Sequence, residues 1–175
     1  MSNDLVSVII PYYQKKKFFY KCFNSAYNQS YKKKEIIVIY DDIYKEDLKY
    51  IKKIIKNKKN VKILINNNSK HGAGHARNIG IKYSKGKYLA FLDSDDVWHK
   101  DKLKIQVKFM QKNKISLCST SYKIIDEKDK NLKTRKTSKK ICFQDLIYSC
   151  DIGLSTVILD KKHFKKRILF SNLKT

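Results

Sequence analysis

Residues 85–98 read Lys-Gly-Lys-Tyr-Leu-Ala-Phe-Leu-Asp-Ser-Asp-Asp-Val-Trp, and this stretch decides the fold. Its apolar part, residues 88–92, is short and uninterrupted, which is typical of a strand buried on both faces of a parallel sheet. Three carboxylates follow at once, from Asp93, Asp95 and Asp96. Such a turn suits Mg²⁺ or Mn²⁺, which prefer oxygen ligands and share their coordination between carboxylates and substrate phosphates. On spacing alone, a solvated turn that caps the next helix explains the cluster equally well.

The chain on either side alternates strand and helix patterns. The predicted elements are strand 6–10, helix 18–30, strand 35–40, helix 48–55, strand 61–65, helix 73–84, strand 88–92 and a helix through Leu103, Val107 and Met110. This order predicts an α/β fold with a mostly parallel sheet and helices on both faces. Because ligands bind beyond the carboxyl ends of such strands, the polar residues that follow strands one, two and four are expected to share one rim.

The second half of the chain is less regular. Residues 116–125 predict one or two strands, and residues 126–140 predict a charged, exposed loop. A short helix at 143–147 and a strand at 155–159 are expected to follow. The length of 175 residues indicates one domain spanning the whole chain.

Composition limits the classes of partner without choosing among them. Lys and Arg number 40 against 16 acidic residues, a formal charge of +24 that attracts nucleotide diphosphates, nucleic acid or anionic lipid. The preferred explanation is lysine on solvated faces. The four cysteines form no C-x-x-C pair, so reduced thiols are expected. No apolar stretch approaches the roughly 20 residues of a membrane span, which predicts a cytoplasmic protein that can lie at a membrane surface.

Three further groups lie on the predicted rim. Asp41 and Asp42 end the second strand, where a carboxylate can accept from the N–H of uracil or thymine; a capping turn is the plainer explanation. Residues 11–13, Pro-Tyr-Tyr, offer an aromatic face for a base, although ordinary packing is more common. Gly72 and Arg77 belong to a small-residue loop that enters a helix, and a helix N-terminus with a guanidinium favours a phosphate-bearing ligand.

Taken together, the blocks at 6–13, 35–42, 76–80 and 85–98 strongly resemble the family-2 glycosyltransferases in order and spacing. The resemblance implies a GT-A fold that binds a nucleoside-diphosphate sugar, usually a UDP-sugar. It implies a divalent metal, Mn²⁺ or Mg²⁺, held by Asp93 and Asp95, and a base held by Asp41 or Asp42. The residues that it places at the nucleotide-sugar are Pro11, Tyr12, Asp41, Asp42, Gly72, Arg77, Asp93, Ser94, Ser155 and Thr156.

By the same resemblance, the expected activity is inverting, metal-dependent transfer of a sugar to a cell-surface glycan or glycolipid acceptor in a bacterium, at the inner face of the cell membrane. Residues 170–175 resemble the approach to the family's Glu-Asp motif, which carries the general base. The catalytic base is therefore expected beyond Thr175 and not within the sequence, and the chain is expected to be a C-terminally truncated domain.

Two other functions are weighed against this one. A donor-binding but catalytically incompetent fragment is one alternative, because the base is expected to be missing. A basic nucleic-acid-binding module is another, but the chain carries no recognisable motif for one, and no nucleic-acid partner is expected.

Overall fold

The computed structural model describes residues 4–137, 152–164 and 168–171. Eight strands and four helices are found in these ranges. They are, in chain order, β1 (Val6–Tyr12), α1 (Lys16–Tyr27), β2 (Lys34–Tyr40), α2 (Lys45–Ile55), β3 (Val61–Ile65), α3 (Ala73–Lys82), β4 (Tyr88–Phe91), α4 (Lys102–Asn113), β5 (Leu117–Cys118), β6 (Tyr122–Ile125), β7 (Asn131–Arg135) and β8 (Ile158–Asp160).

Six of the strands form one sheet in the order β3-β2-β1-β4-β8-β5. The first four are parallel, and Ile9 of the central strand β1 is in register with Ile37 on one side and Phe91 on the other. The carboxyl ends of β1, β2 and β4 therefore meet at one edge of the sheet. This arrangement confirms the predicted α/β fold and the shared rim.

The helices cover both faces of the sheet, as predicted. On one face, Phe19 and Phe23 of α1, Ile51 of α2 and Leu103 of α4 are buried among alternate residues of the strands. On the other face, Ala76 of α3 packs with Ile9 and other apolar strand residues. Every residue of β1 is buried, and the strand is apolar except for Ser7, whose hydroxyl donates to Glu35, which is why its sequence shows no alternation.

Two predictions on the second half of the chain were wrong in detail. The segment 126–140 contains strand β7, which pairs antiparallel with β6; its five residues are all exposed, so no burial pattern marked it. Ser155 and Thr156 lie in a 3₁₀ turn, Leu154–Thr156, and strand β8 begins only at Ile158. Strand β8 runs antiparallel to β4, at the edge where the parallel order ends.

Two predictions fall on residues that the structure does not describe. The predicted helix at 143–147 lies outside the described ranges. Thr175, beyond which the general base is expected, lies outside them as well, since the last described residue is Ser171. Both therefore stay predictions.

Two findings bear on other predictions. In the described part of the chain, no helix combines the length and the apolar character that crossing a bilayer requires. Cys22 and Cys118 are free thiols, as expected, and the other two cysteines lie outside the described ranges.

Candidate functional site

A cleft of about 750 Å³ opens at the carboxyl edge of the sheet. It brings together nine of the predicted site residues, namely Pro11, Tyr12, Asp41, Asp42, Gly72, Arg77, Asp93, Ser94 and Asp95. Ser155 and Thr156 do not line it. Sequence reasoning overlooked Lys15 and Ile43, which also line the cleft. Their only signal in the sequence is that each lies within three residues of a strand end.

The two tyrosines after β1 differ in exposure. Tyr12 is fully buried, and its hydroxyl donates to Asp47 Oδ2 at 2.6 Å. Its ring stacks on that of Tyr40 with 5.4 Å between centroids. Burial and the hydrogen bond to Asp47 raise the pKa of Tyr12 well above its ordinary value. Tyr13 is 58% exposed at the cleft, so its ring is the one that a planar ligand can reach.

Asp41 is only 3% exposed, and both of its carboxylate oxygens contact the loop before α3. Its Oδ1 accepts from Asn66 Nδ2 at 2.7 Å and lies 2.6 Å from His71 Nδ1. Its Oδ2 accepts from the N–H of Gly72 at 2.7 Å. Gly72 has a φ of +111°, a conformation that residues with a Cβ rarely adopt. Asp41 and Gly72 together fix the backbone that enters helix α3.

Asp42 is half-buried and faces the cleft. Its Oδ2 accepts from the N–H of Gln14 at 2.8 Å, and its Oδ1 accepts from the N–H of Ile43 at 2.7 Å and from that of Tyr44 at 3.4 Å. Asp42 is nevertheless the more exposed of the two carboxylates, since Asp41 is almost fully buried. The two neighbouring carboxylates thus differ in their surroundings, which the sequence could not show.

The opposite wall of the cleft pairs two cations with the acidic turn. Arg77 Nη2 donates to Asp93 Oδ1 at 2.5 Å, and its guanidinium lies 5.3 Å from the centre of the Phe170 ring. Within the described residues, the buried Arg77 Nε has no hydrogen-bond partner. Lys15 Nζ lies 2.9 Å from Asp95 Oδ2, where both side chains are substantially exposed. Helix α3 and the loop after β1 thereby deliver one cation each to the turn after β4.

The third carboxylate of the turn, Asp96, has a raised pKa. Desolvation raises it, a hydrogen bond from Ser155 opposes the shift, and the charges of Asp93 and Asp95 raise it further. The Ser155 hydroxyl oxygen also accepts from the N–H of Asp93 at 3.0 Å. Ser155 is buried behind the turn.

The acidic turn offers two carboxylates to a divalent metal. Among the described residues, no three or more His, Cys, Asp or Glu side chains are arranged to hold an ion. Two carboxylates, those of Asp93 and Asp95, line one cleft. This donor set suits a hard cation that takes its remaining ligands from water and a diphosphate. Asp93 and Asp95 therefore fit the part of a metal site that a protein supplies.

The order of these parts along the chain is that of a known enzyme family. The model of that family, described as glycosyl transferase family 2, matches residues 7–169. The chain belongs to glycosyl transferase family 2. The match includes the strands, the Arg77 helix and the acidic turn that build the cleft.

Relatives within the family cover nearly all of this chain. An uncharacterised glycosyltransferase of Rickettsia felis is 36% identical over 100% of this chain and 29% of its own length. The Escherichia coli WfgD, named a UDP-Glc:alpha-D-GlcNAc-diphosphoundecaprenol beta-1,3-glucosyltransferase, is 36% identical over 92% of this chain and 62% of its own length. The chain thus spans between about a third and two thirds of the lengths of these two relatives.

Solved structures confirm the GT-A fold. Staphylococcus aureus TarS, residues 1–349, aligns with a TM-score of 0.71 and 24% identity over 89% of this chain and 46% of the TarS chain. The TarS structure in complex with UDP-GlcNAc aligns at 29% identity with a TM-score of 0.59, over 64% of this chain and 32% of that one. The predicted family and fold are therefore both confirmed.

Proposed function

We propose that this chain forms the donor-binding part of a glycosyltransferase that moves a sugar from a UDP-sugar to a glycan or glycolipid acceptor. The observation that carries the proposal is a cleft that holds Asp42, after β2, and the acidic turn, after β4, on opposite sides of β1, with Tyr13 and Arg77 also in its lining. A nucleoside diphosphate has a matching division, with a base at one end and anionic phosphates at the other. The donor named for WfgD and the ligand of TarS are both UDP-sugars, which supports the choice of nucleotide.

Asp42, rather than Asp41, is assigned to the base. Asp41 already accepts from Gly72 and Asn66 and contacts His71, so a base N–H would have to displace one of those partners. Asp42 is half-buried and lines the cleft, so its carboxylate is the more accessible of the two to a ligand. The exposed ring of Tyr13 provides a flat apolar surface against which uracil can stack.

Arg77 and the acidic turn are assigned to the diphosphate. A guanidinium can bind phosphate oxygens in a bidentate way. The Arg77 side chain is 13% exposed and is restrained by its contacts with Asp93 and Phe170. It therefore loses little conformational freedom when a phosphate binds. Asp93 and Asp95 would hold Mn²⁺ or Mg²⁺, which neutralises negative charge on a leaving diphosphate.

The transfer step is proposed to be a single inverting displacement. The oxygen of an acceptor hydroxyl bonds to the anomeric carbon of the donor sugar, the bond from that carbon to the UDP oxygen breaks, and a general base takes the hydroxyl proton. Within the described residues we assign no general base. A base located beyond Thr175 is part of the proposal, as the resemblance implies. A chain that lacks this base binds the donor and transfers poorly, because a positioned general base typically contributes about 10²–10⁴-fold to rate.

The acceptor is proposed to lie at the inner face of the cell membrane. WfgD is named for an acceptor on diphosphoundecaprenol, a lipid carrier. A chain with a formal charge of +24 is attracted to the anionic lipids of that surface. Both points favour a glycolipid acceptor that is met at the membrane.

The donor site is tested by calorimetric titration of UDP into the protein, with Mn²⁺ and with chelator. We expect Mn²⁺ to strengthen binding, Asp95→Ala to abolish that gain, and Asp42→Asn to weaken binding under both conditions. The loss at Asp42 should be about tenfold, because asparagine keeps an acceptor but loses the charge, and a charged hydrogen bond contributes about 1–1.5 kcal/mol more than a neutral one. Glu46→Ala, an exposed carboxylate on α2, is the control. UDP binding that ignores the metal and both site variants would contradict the proposal.

A further inference from the structure

The backbone of Asp93 is anchored from behind the cleft. Its N–H donates to Ser155 Oγ at 3.0 Å, and its carbonyl accepts from the thiol of Cys22 at 3.3 Å. The buried Ser155 hydroxyl thus holds the start of the acidic turn, and the place of Asp93 depends on the place of the 3₁₀ turn Leu154–Thr156.

That 3₁₀ turn is held in its own right by two buried side chains. Trp98 Nε1 donates to the carbonyl of Ser155 at 2.7 Å, and Gln106 Nε2 donates to the carbonyl of Thr156 at 3.0 Å. Trp98 is 6% exposed and Gln106 is 2% exposed. The Gln106 amide also reaches the carbonyl of Cys118 at 3.3 Å. We call Trp98, Gln106 and the turn Leu154–Thr156 the brace.

We propose that Gln106 is a positioning residue, which through the brace sets Asp93 in the geometry that a divalent cation requires. The inference rests on the proposed donor site and assigns it a residue on helix α4. Gln106 does not line the cleft, so it acts only through the Thr156 carbonyl, Ser155 and Asp93.

The physical reason is the free-energy cost of a buried carbonyl that has lost a hydrogen-bond donor. Without the Gln106 amide, the buried carbonyl of Thr156 loses its side-chain donor, and the turn must shift to recover one. A shift of about 0.5 Å is enough to disturb a metal constellation. Removal of residues that orient metal ligands typically lowers metal affinity by about 10–100-fold.

The strand order separates this effect from a general loss of structure. Asp42 follows β2, whereas the brace lies beside β4 and β8, on the other side of β1. A shift of the brace should therefore reach the metal end of the cleft and leave the base end unchanged. If Gln106 has a purely structural role, its replacement should instead lower the stability of the protein and weaken UDP binding both with metal and with chelator.

The test compares Gln106→Met with Gln111→Met, the same exchange at an exposed position of the same helix. UDP is titrated into each variant with Mn²⁺ and with chelator, and Mn²⁺ binding is followed separately at saturating UDP. For Gln106→Met we expect at least tenfold weaker Mn²⁺ binding and an unchanged UDP affinity in chelator, in line with the usual effect of residues that orient metal ligands. Gln111→Met should match the wild type in all three titrations.

Each outcome decides a different claim. If the wild type binds UDP without any gain from Mn²⁺, the metal part of the proposed function fails and the positioning role falls with it. If the wild type shows the gain and Gln106→Met keeps it, only the positioning role is refuted. If Gln106→Met does not fold, Trp98→Phe removes one brace hydrogen bond and keeps an aromatic ring. Equal losses of UDP affinity with metal and with chelator in Trp98→Phe would then overturn the inference.

Discussion

Replacement of Lys102 by methionine should stabilise the protein. Lys102 lies in the first turn of α4 and is 8% exposed, and within the described residues its Nζ has no hydrogen-bond partner. The ammonium lies 4.3 Å from the centre of the Trp98 ring. Burial lowers the pKa of Lys102 to about 7. Methionine keeps most of the apolar stem and removes the charge that burial disfavours.

The size of the gain follows from the pKa and the ring contact. With an ordinary value of 10.5 and about 1.4 kcal/mol per pKa unit, the fall to about 7 corresponds to a penalty of roughly 4 kcal/mol at pH 7. Methionine also gives up the contact of the ammonium with the Trp98 ring. We therefore expect the Lys102→Met variant to be more stable by no more than about 4 kcal/mol at pH 7.

The same reasoning fixes the dependence on pH. Because the folded-state pKa is depressed, the unfolded chain binds more protons between about pH 7 and 10.5, and the stability of the wild type rises with pH across that window. The advantage of Lys102→Met should shrink accordingly. Urea denaturation followed by circular dichroism at about pH 7 and about pH 9.5 measures both values, with the exposed neighbour Lys104→Met as control. A variant that is less stable at pH 7, or whose advantage is the same at both values, would refute the reasoning.

Two further predictions concern the sheet. Gly80→Ala should cost about 1–3 kcal/mol in urea denaturation, because the new Cβ would lie 2.5 Å from Ile9 Cγ2 and 2.9 Å from Ile39 Cδ1; a neutral result would contradict this close approach. Burial raises the pKa of Glu35, but hydrogen bonds from Ser7 and the Lys85 N–H outweigh it, so the net pKa is lowered. The ionised Glu35 therefore contributes its full stability above about pH 4.5, and this contribution is lost as pH falls through the folded-state pKa. Glu35→Gln should be less stable than the wild type at about pH 7 and approach it near pH 3. A constant difference in stability between these pH values would count against the hydrogen bonds of Glu35 with Ser7 and Lys85.

The parallel half of the fold was predictable because buried strands have a recognisable local sequence, a short run of apolar residues. Strand β1 is apolar except for Ser7, and the parallel direction of the first four strands follows from their alternation with helices. The sequence of strand β7 has no such apolar run, since its residues are exposed and are held by backbone pairing with β6. The division between Asp41 and Asp42 was equally hidden. It depends on Asn66, His71 and Gly72, which reach Asp41 from 25 to 31 residues further along the chain.

The contacts of helix α3 explain why few other residues would fit in the block Ala76-Arg77-Asn78-Ile79-Gly80. Successive residues of a helix point about 100° apart, so each meets a different neighbour. Ala76 is buried on the sheet side, and Arg77 reaches Asp93. Asn78 holds the Phe170 backbone with two hydrogen bonds, of 2.8 and 2.9 Å, and thereby keeps the Phe170 ring against the Arg77 guanidinium. Gly80 admits the side chains of β1 and β2. Packing against the sheet and polar contacts at the cleft thus constrain four of these five residues, because the helix that fills the second face of the sheet also carries the arginine of the cleft.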